Sequence, residues 1–196
     1  ADGTVWAWGD NTYGQLGDGT YGTSNVDKFV PRQVRIGQNE SNTKLLTNIK
    51  YVAAGANSSA AIDQDGLLYV WGNNDNGQLG VDGKIVAYPT LVEALKDNPA
   101  TPNADETILV SAVELSESHT IIIDALTKRA YTWGKNDHNQ LGYQQSILNN
   151  GKPMTSPSTE NYAKEAHLVT RDKGDLNFLE VASGKNHSVG IVIPAS

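Results

Sequence analysis

Few side chains in this 196-residue chain could carry chemistry. Zero cysteines remove disulfides, thiol nucleophiles and thiolate metal ligands. Of the four histidines, His119 and His187 each adjoin a hydroxyl residue, in Ser118-His119 and His187-Ser188. A nucleophile and its base must meet in space, which sequence neighbours do not do. His138 and His167 stand alone. Asp63-Gln64-Asp65-Gly66 offers two acids and a glycine, but lacks the further oxygen ligands of a calcium loop and reads as a hairpin turn ending in Asp-Gly. No glycine-rich phosphate loop leads from a strand into a helix. Paired carboxylates for glycoside cleavage are not ruled out, yet nothing singles out a pair. Asn39-Glu40-Ser41 is a glycosylation sequon with meaning only in a eukaryotic secretory setting. The expectation is a non-enzyme with no catalytic centre, cofactor or metal.

The elements that would position these groups are repeats. Residues 5–17 read VWAWGDNTYGQLG, residues 68–80 LYVWGNNDNGQLG and residues 130–142 AYTWGKNDHNQLG. Trp8, Trp71 and Trp133 thus recur at intervals of roughly sixty residues, the mark of a repeat architecture. A second motif alternates with the first: YVAAGANSSAAID (51–63), AVELSESHTIIID (112–124) and EVASGKNHSVGIV (180–192). Gly55, Ser116 and Gly184 align, as do Ser58, His119 and His187. Repeat-equivalent histidines belong on different units in the same orientation, which favours a structural role bonded to neighbouring backbone. Each aromatic and β-branched run reads as a strand. Each run then breaks at Gly9, Gly72 or Gly134 into a compact loop plugged by Leu16, Leu79 or Leu141 and closed by Gly17, Gly80 or Gly142. On the first strand, alternation puts Trp6 and Trp8 on one face and Val5 and Ala7 on the other.

These two motifs resemble the repeat of the regulator of chromosome condensation family, as small-Gly-x-x-His-[ST] and WGxNxxGQLG. The resemblance covers almost the whole chain. It implies a β-propeller, usually seven-bladed, and it implies specialised regulators, such as a guanine-nucleotide exchange factor or a propeller-type β-lactamase inhibitor. The pattern is broken where Ser58 replaces the histidine, where Leu115-Ser116 replaces the small-Gly pair, where Asn139 replaces a glycine, and in having three repeats.

The fold expected is all-β: a propeller-type array of three four-stranded antiparallel blades, partial or completed by oligomerisation. It forms one segment, with repeats at about 1–63, 64–124 and 125–193. Nineteen glycines suit many turns, and the small-residue strands around Ala54-Gly55-Ala56-Asn57 suit the crowded centre. A helical turn is expected over Leu91–Leu95, and polar insertions over 93–106 and 143–164. A scaffold fold does not fix a function. The leading reading is a protein-interaction scaffold whose rim loops bind a protein partner, with Tyr21, Phe29, Tyr88, Tyr143 and Tyr162 as candidate contacts. The alternative is a structural subunit joined to other copies or to further blades of a longer chain. Two copies would give roughly six blades, and the lack of an initiating Met favours a segment of a longer polypeptide. The net charge of −7 argues against nucleic-acid binding. No apolar run is long enough to span a bilayer, and the composition suits the extracellular side or cell surface of a bacterium.

Overall fold

The computed structural model describes residues 3–22, 28–37, 44–95, 107–142, 162–170 and 176–194. The sequon, Tyr143 and most of the 93–106 and 143–164 insertions lie outside the described residues, as do the side chains of Phe29 and Tyr162. In chain order the strands are β1 (Trp6–Gly9), β2 (Lys28–Gln33), β3 (Arg35–Ile36), β4 (Lys44–Leu45), β5 (Ile49–Ala54), β6 (Ser58–Asp63) and β7 (Leu68–Asn73). They continue as β8 (Ile85–Leu91), β9 (Val110–Leu115), β10 (His119–Asp124), β11 (Ala130–Lys135), β12 (Tyr162–Leu168), β13 (Phe178–Ser183) and β14 (Ser188–Val192). A 3-10 turn, Glu93–Leu95, stands where the helical turn is expected.

Two complete antiparallel blades form, in the orders β5-β6-β7-β8 and β9-β10-β11-β12. The third is divided: β1-β2 stands as a two-stranded sheet at one end and β13-β14 at the other. The sequence leads to this permuted arrangement, because each tryptophan-bearing strand starts the outer half of a blade and the chain starts on one. The short β3-β4 hairpin is an addition that no motif announces.

Pairing repeats between blades. In the first, Ser59 faces Trp71 and Ala60 faces Val70 across β6-β7; in the second, Thr120 faces Trp133 and Ile121 faces Thr132 across β10-β11. β6 and β10 are buried almost throughout, since the next unit covers one face and the previous unit the other. One core cluster, including Val34, Ile62, Val70, Trp71, Leu79, Val113, Ile122, Tyr131 and Trp133, joins the first units, and a second, of Ile121, Ile123, Ala130, Phe178 and Val181, joins β10 and β11 to β13. Stacked units of this kind derive their core from their neighbours.

The first strands of successive units, β5, β9 and β13, pack side by side. A Cβ on Gly55 would meet Leu115 Cβ and the Ser116 carbonyl at 2.9 Å, so only glycine fits there. The expectation of small side chains along these strands holds at that position but not along their length. Tyr51, Glu114 and Glu180 also stand on β5, β9 and β13. Burial, reinforced by Glu180, raises the Glu114 carboxyl above its ordinary pKa. Burial, then Glu114 and Glu180, raises the Tyr51 phenol.

Candidate protein-binding rim

The site is built on the loops that follow each tryptophan. In the first, the side-chain oxygen of Asn11 accepts the Leu16 N–H (3.0 Å) and that of Gln15 accepts the Tyr13 N–H (2.8 Å). Asn74 and Gln78 do the same for Leu79 and Asn76 (2.8 and 2.9 Å). Asn136 and Gln140 repeat it for Leu141 and His138 (3.1 and 2.8 Å). An asparagine and a glutamine therefore satisfy the turn's orphan donors, and the leucine after the glutamine is driven inward, leaving Leu16, Leu79 and Leu141 buried. Asn139 adopts a φ of 58° where the other loops have Gly14 and Gly77 at 78° and 65°. Asparagine is among the few residues that tolerate this left-handed region, so the loop survives its substitution.

The first two loops then each serve as a socket for the tryptophan of the following unit. The Trp71 indole N–H donates to the Gln15 carbonyl (2.8 Å), and the Ser59 hydroxyl donates to the same oxygen (2.8 Å). A Cβ on Gly17 would lie 2.9 Å from Trp71 Nε1, so the glycine lets the indole lie against the chain. Trp133 lies equally close over Gly80. Thr120 donates to the Gln78 carbonyl (2.6 Å), while the Trp133 indole nitrogen, though buried, has no hydrogen-bond partner. Ser188 donates to the Gln140 carbonyl (3.0 Å). Ser59, Thr120 and Ser188 are the hydroxyl position of the His-[ST] motif. Their role in clamping the previous loop is a feature that sequence reasoning missed, although the motif contained the signal.

His138 and His187 line one cavity, while His119 is enclosed behind Ser188. His119 is wholly buried, with Nδ1 2.6 Å from Ser116 Oγ and Nε2 2.9 Å from Ser188 Oγ of the next unit. Burial, reinforced by His187, lowers its pKa to about 4. Its repeat-equivalent His187 is exposed: among the described residues β14 pairs only with β13, whereas β10 also has β11. Ser116 is no nucleophile. Its oxygen accepts the N–H groups of Ser118 and His119 (3.1 and 2.9 Å), and its proton goes to the His119 carbonyl (2.9 Å). The Ser116 N–H also donates to the His119 carbonyl (2.9 Å), as the Gly55 and Gly184 N–H groups donate to the Ser58 and His187 carbonyls. His138 is exposed and bonds Asp137, and His167 lies on β12. The Lys135 ammonium, followed by His138, holds Asp137 well below the usual carboxylate range. Asp63 staples its hairpin by accepting the Asp65 and Leu67 N–H groups (3.0 and 2.8 Å). Among the described residues no group of three or more metal-ligating side chains forms.

Two rim aromatics do come together. The exit of the first loop runs along β8, where the Gly19 N–H donates to the Ala87 carbonyl (3.1 Å). Tyr21, from the first unit, and Tyr88, from the second, line one cleft of about 700 Å³ with Ile85, Asp82 and Glu93. Tyr21 and Ile85 are exposed and Tyr88 is half-buried. The cleft offers aromatic and apolar area flanked by carboxylates.

The chain belongs to the Regulator of chromosome condensation (RCC1) repeat family, whose model matches residues 2–62, 65–123 and 129–191. It is 27% identical over 195 residues to the Guanine nucleotide exchange factor SRM1 of Saccharomyces cerevisiae, covering 97% of this chain and 36% of that protein. It is 26% identical over 195 residues to Protein pim1 of Schizosaccharomyces pombe, covering 96% of this chain and 32% of that one. With the Ultraviolet-B receptor UVR8 of Arabidopsis thaliana it shares 32% identity over 142 residues, which is 72% of this chain and 28% of the receptor. The chain thus spans about a third of the length of these relatives. The fold is shared with the crystal structure of yeast RCC1 (Prp20) bound to Kap60, at a TM-score of 0.68 and 24% identity over 96% of this chain and 37% of that one. A structure of Prp20p, described with its binding to Gsp1p and histones, matches at a TM-score of 0.66 and 25% identity, covering 96% and 39%. These relatives come from yeasts and a plant and lend no support to a bacterial or cell-surface origin.

Proposed function

We propose that this chain is a non-catalytic protein-interaction segment of a propeller, binding its partner at the cleft between Tyr21 and Tyr88. The observation that carries the reading is the meeting of two aromatics from different units on one carboxylate-flanked cleft. Aromatic residues are enriched where interfaces hold their binding energy, and Asp82 and Glu93 suit basic side chains on the partner. Support also comes from relatives whose names and titles describe protein binding or regulation. A second reading, nucleotide exchange on a small GTPase, is favoured by the alignment with SRM1 along 97% of this chain.

The test uses Gsp1p and core histones as probes against the immobilised chain. Binding to either should weaken at least tenfold in Tyr21→Ala and Tyr88→Ala, a loss of about 1.4 kcal/mol. Affinity unchanged in both variants would remove the cleft from the account. Release of fluorescent GDP from Gsp1p, measured alongside, separates the readings: acceleration by the chain supports exchange, and tight binding without acceleration supports the scaffold.

A further inference from the structure

The cleft between Tyr21 and Tyr88 belongs to the interior of the chain. The blade β5–β8 has neighbours on both faces, the Gln15 loop and β3 on one side and β9 on the other, so a repeat added at either end of the chain would not stack on it. β8, the outer strand of that blade, forms the floor of the cleft. Three of its residues, Ala87-Tyr88-Pro89, stand opposite Trp71 alone, between the pairs Gly72–Val86 and Val70–Thr90. Extra residues of this kind bend a strand, and proline is tolerated at a sheet edge. The same bulge occurs in β2 and β12, with Val30 and Glu165 in the place of Tyr88. Of the three bulges, the second alone carries an aromatic residue at this position.

The first unit crosses the cleft at its middle. The Gly19 N–H donates to the Ala87 carbonyl (3.1 Å). A Cβ on Gly19 would strike the Tyr88 ring, so the phenol lies directly on the backbone there. On either side of this crossing the edge of β8 is open. The Asn74 N–H donates to the Lys84 carbonyl and the Val92 N–H to the Leu68 carbonyl, so alternation turns the backbone groups of Ile85 and Leu91 away from β7. Both residues line the cleft, and neither backbone is bonded on that side among the described residues. Beyond the two ends of β8 stand Asp82 and Glu93, both exposed and both lining the cleft. Lys84, exposed beside Asp82, does not line it. The sequence after Glu93 adds Asp97, Asp105 and Glu106 against Lys96 alone. From Ile85 to Leu91 the strand faces only Asn73 to Tyr69, a length of roughly 13 Å.

We infer, resting on the protein-binding reading of this cleft, that its occupant is an extended segment of the partner with two basic side chains about four to six residues apart. One cation meets Asp82 and the other Glu93, while the residues between them cross Tyr21 and Tyr88. Charge complementarity carries the choice of partner: the carboxylates at both ends and the net charge of −7 attract cations and repel polyanions. A guanidinium can also stack on a tyrosine ring while it bonds a carboxylate. The outward backbone groups of Ile85 and Leu91 carry the choice of conformation, because an extended segment can bond them and a helix, whose own groups are paired internally, cannot.

The probe is a fluorescein-labelled peptide of two arginines about five residues apart, joined by alternating alanine and proline to hold it extended, and read by anisotropy against the whole chain. It should bind, and replacing both arginines by citrulline, their neutral isostere, should weaken it at least tenfold. Tyr21→Ala and Tyr88→Ala should each weaken it about fivefold or more, with circular dichroism confirming the fold and the exposed Tyr21 serving if the half-buried Tyr88 does not tolerate the change. Asp82→Asn and Glu93→Gln should each weaken it about two- to fivefold, the loss of one exposed ion pair. Asp75→Asn, at an exposed carboxylate away from the cleft, should leave it unchanged. A peptide with adjacent arginines reaches one end only and should lose as much as Asp82→Asn does. Equal binding of the citrulline peptide overturns the proposal, and so do equal losses in Asp75→Asn and Asp82→Asn. Equal binding of adjacent arginines overturns the spacing. If no peptide binds, the basic extended segment is wrong; the cleft keeps its role in that case only where the tyrosine substitutions still weaken binding of Gsp1p or histones.

Discussion

Trp71 and Trp8 occupy the same position in the same motif, yet one is sealed in the core and the other stands in solvent. Their strands pair outward in the same way, Tyr69 with Leu91 and Trp6 with Gln33. What differs among the described residues is the inner neighbour: Trp71 has β6 beside it and the Gln15 loop beneath it, and Trp8 has neither. The local motif therefore makes the strand and the turn, while burial is conferred by the preceding unit. In a stacked array the hydrophobic effect acts at junctions, so a residue's energetic weight depends on which junctions are occupied.

The sharpest way to break this comparison is truncation of both tryptophans. Trp71→Ala should cost about 3–5 kcal/mol in urea unfolding, the range for emptying a buried aromatic site. Trp8→Ala, measured at low concentration, should stay within about 0.5 kcal/mol of the parent, as exposed positions do. Equal losses would show that the motif is stabilising without its socket. A glycine pair sharpens the same point with a smaller effect. Gly80→Ala and Gly142→Ala share a φ of 66° and thus the same backbone strain. Only the former drives a methyl into an indole, so it should lose about 1–3 kcal/mol more in the same assay.

The smallest expected effect is the pH dependence set by His119. Its folded pKa, about 4, lies below the ordinary 6.5, so the unfolded chain binds the proton first as pH falls. The stability linked to this histidine is complete above pH 6.5 and is lost progressively as the pH drops toward 4. Comparing thermal unfolding of the parent chain and His119→Gln between pH 7 and 4.5 should show a shallower decline in the variant. Parallel curves would mean that His119 is not the group being titrated.

Much of this was readable from residue order. Period-2 runs ending in Trp-Gly placed β1, β7 and β11. The turn residues located the loops, and the position of the first tryptophan motif at the start of the chain indicated a divided blade. What was hidden depends on contacts between units. Trp6 and Trp8 share a face in the sequence pattern, but a pattern cannot say whether that face is covered. His119 and His187 are equivalent by alignment, and only the presence or absence of an outer strand makes one buried and the other exposed. Tyr21 and Tyr88 were both identifiable as rim aromatics, and their meeting depends on the Gly19 and Ala87 backbones lying side by side. Ser116 looked like a lost glycine, whereas its hydroxyl takes over the turn and positions a buried imidazole.

The direction of the tryptophan contacts bears on how such a chain is made. The two buried indoles both lie against an earlier loop: Trp71 bonds Gln15, 56 residues earlier, and Trp133 packs over Gly80. A ribosome adding roughly 5–20 residues per second would therefore complete each socket some seconds before its plug emerges. Each of these two tryptophans therefore emerges after the loop that receives it. Nascent chains halted just before and just after Trp71 has cleared the exit tunnel should differ abruptly in protease resistance, marking the moment at which the first junction closes.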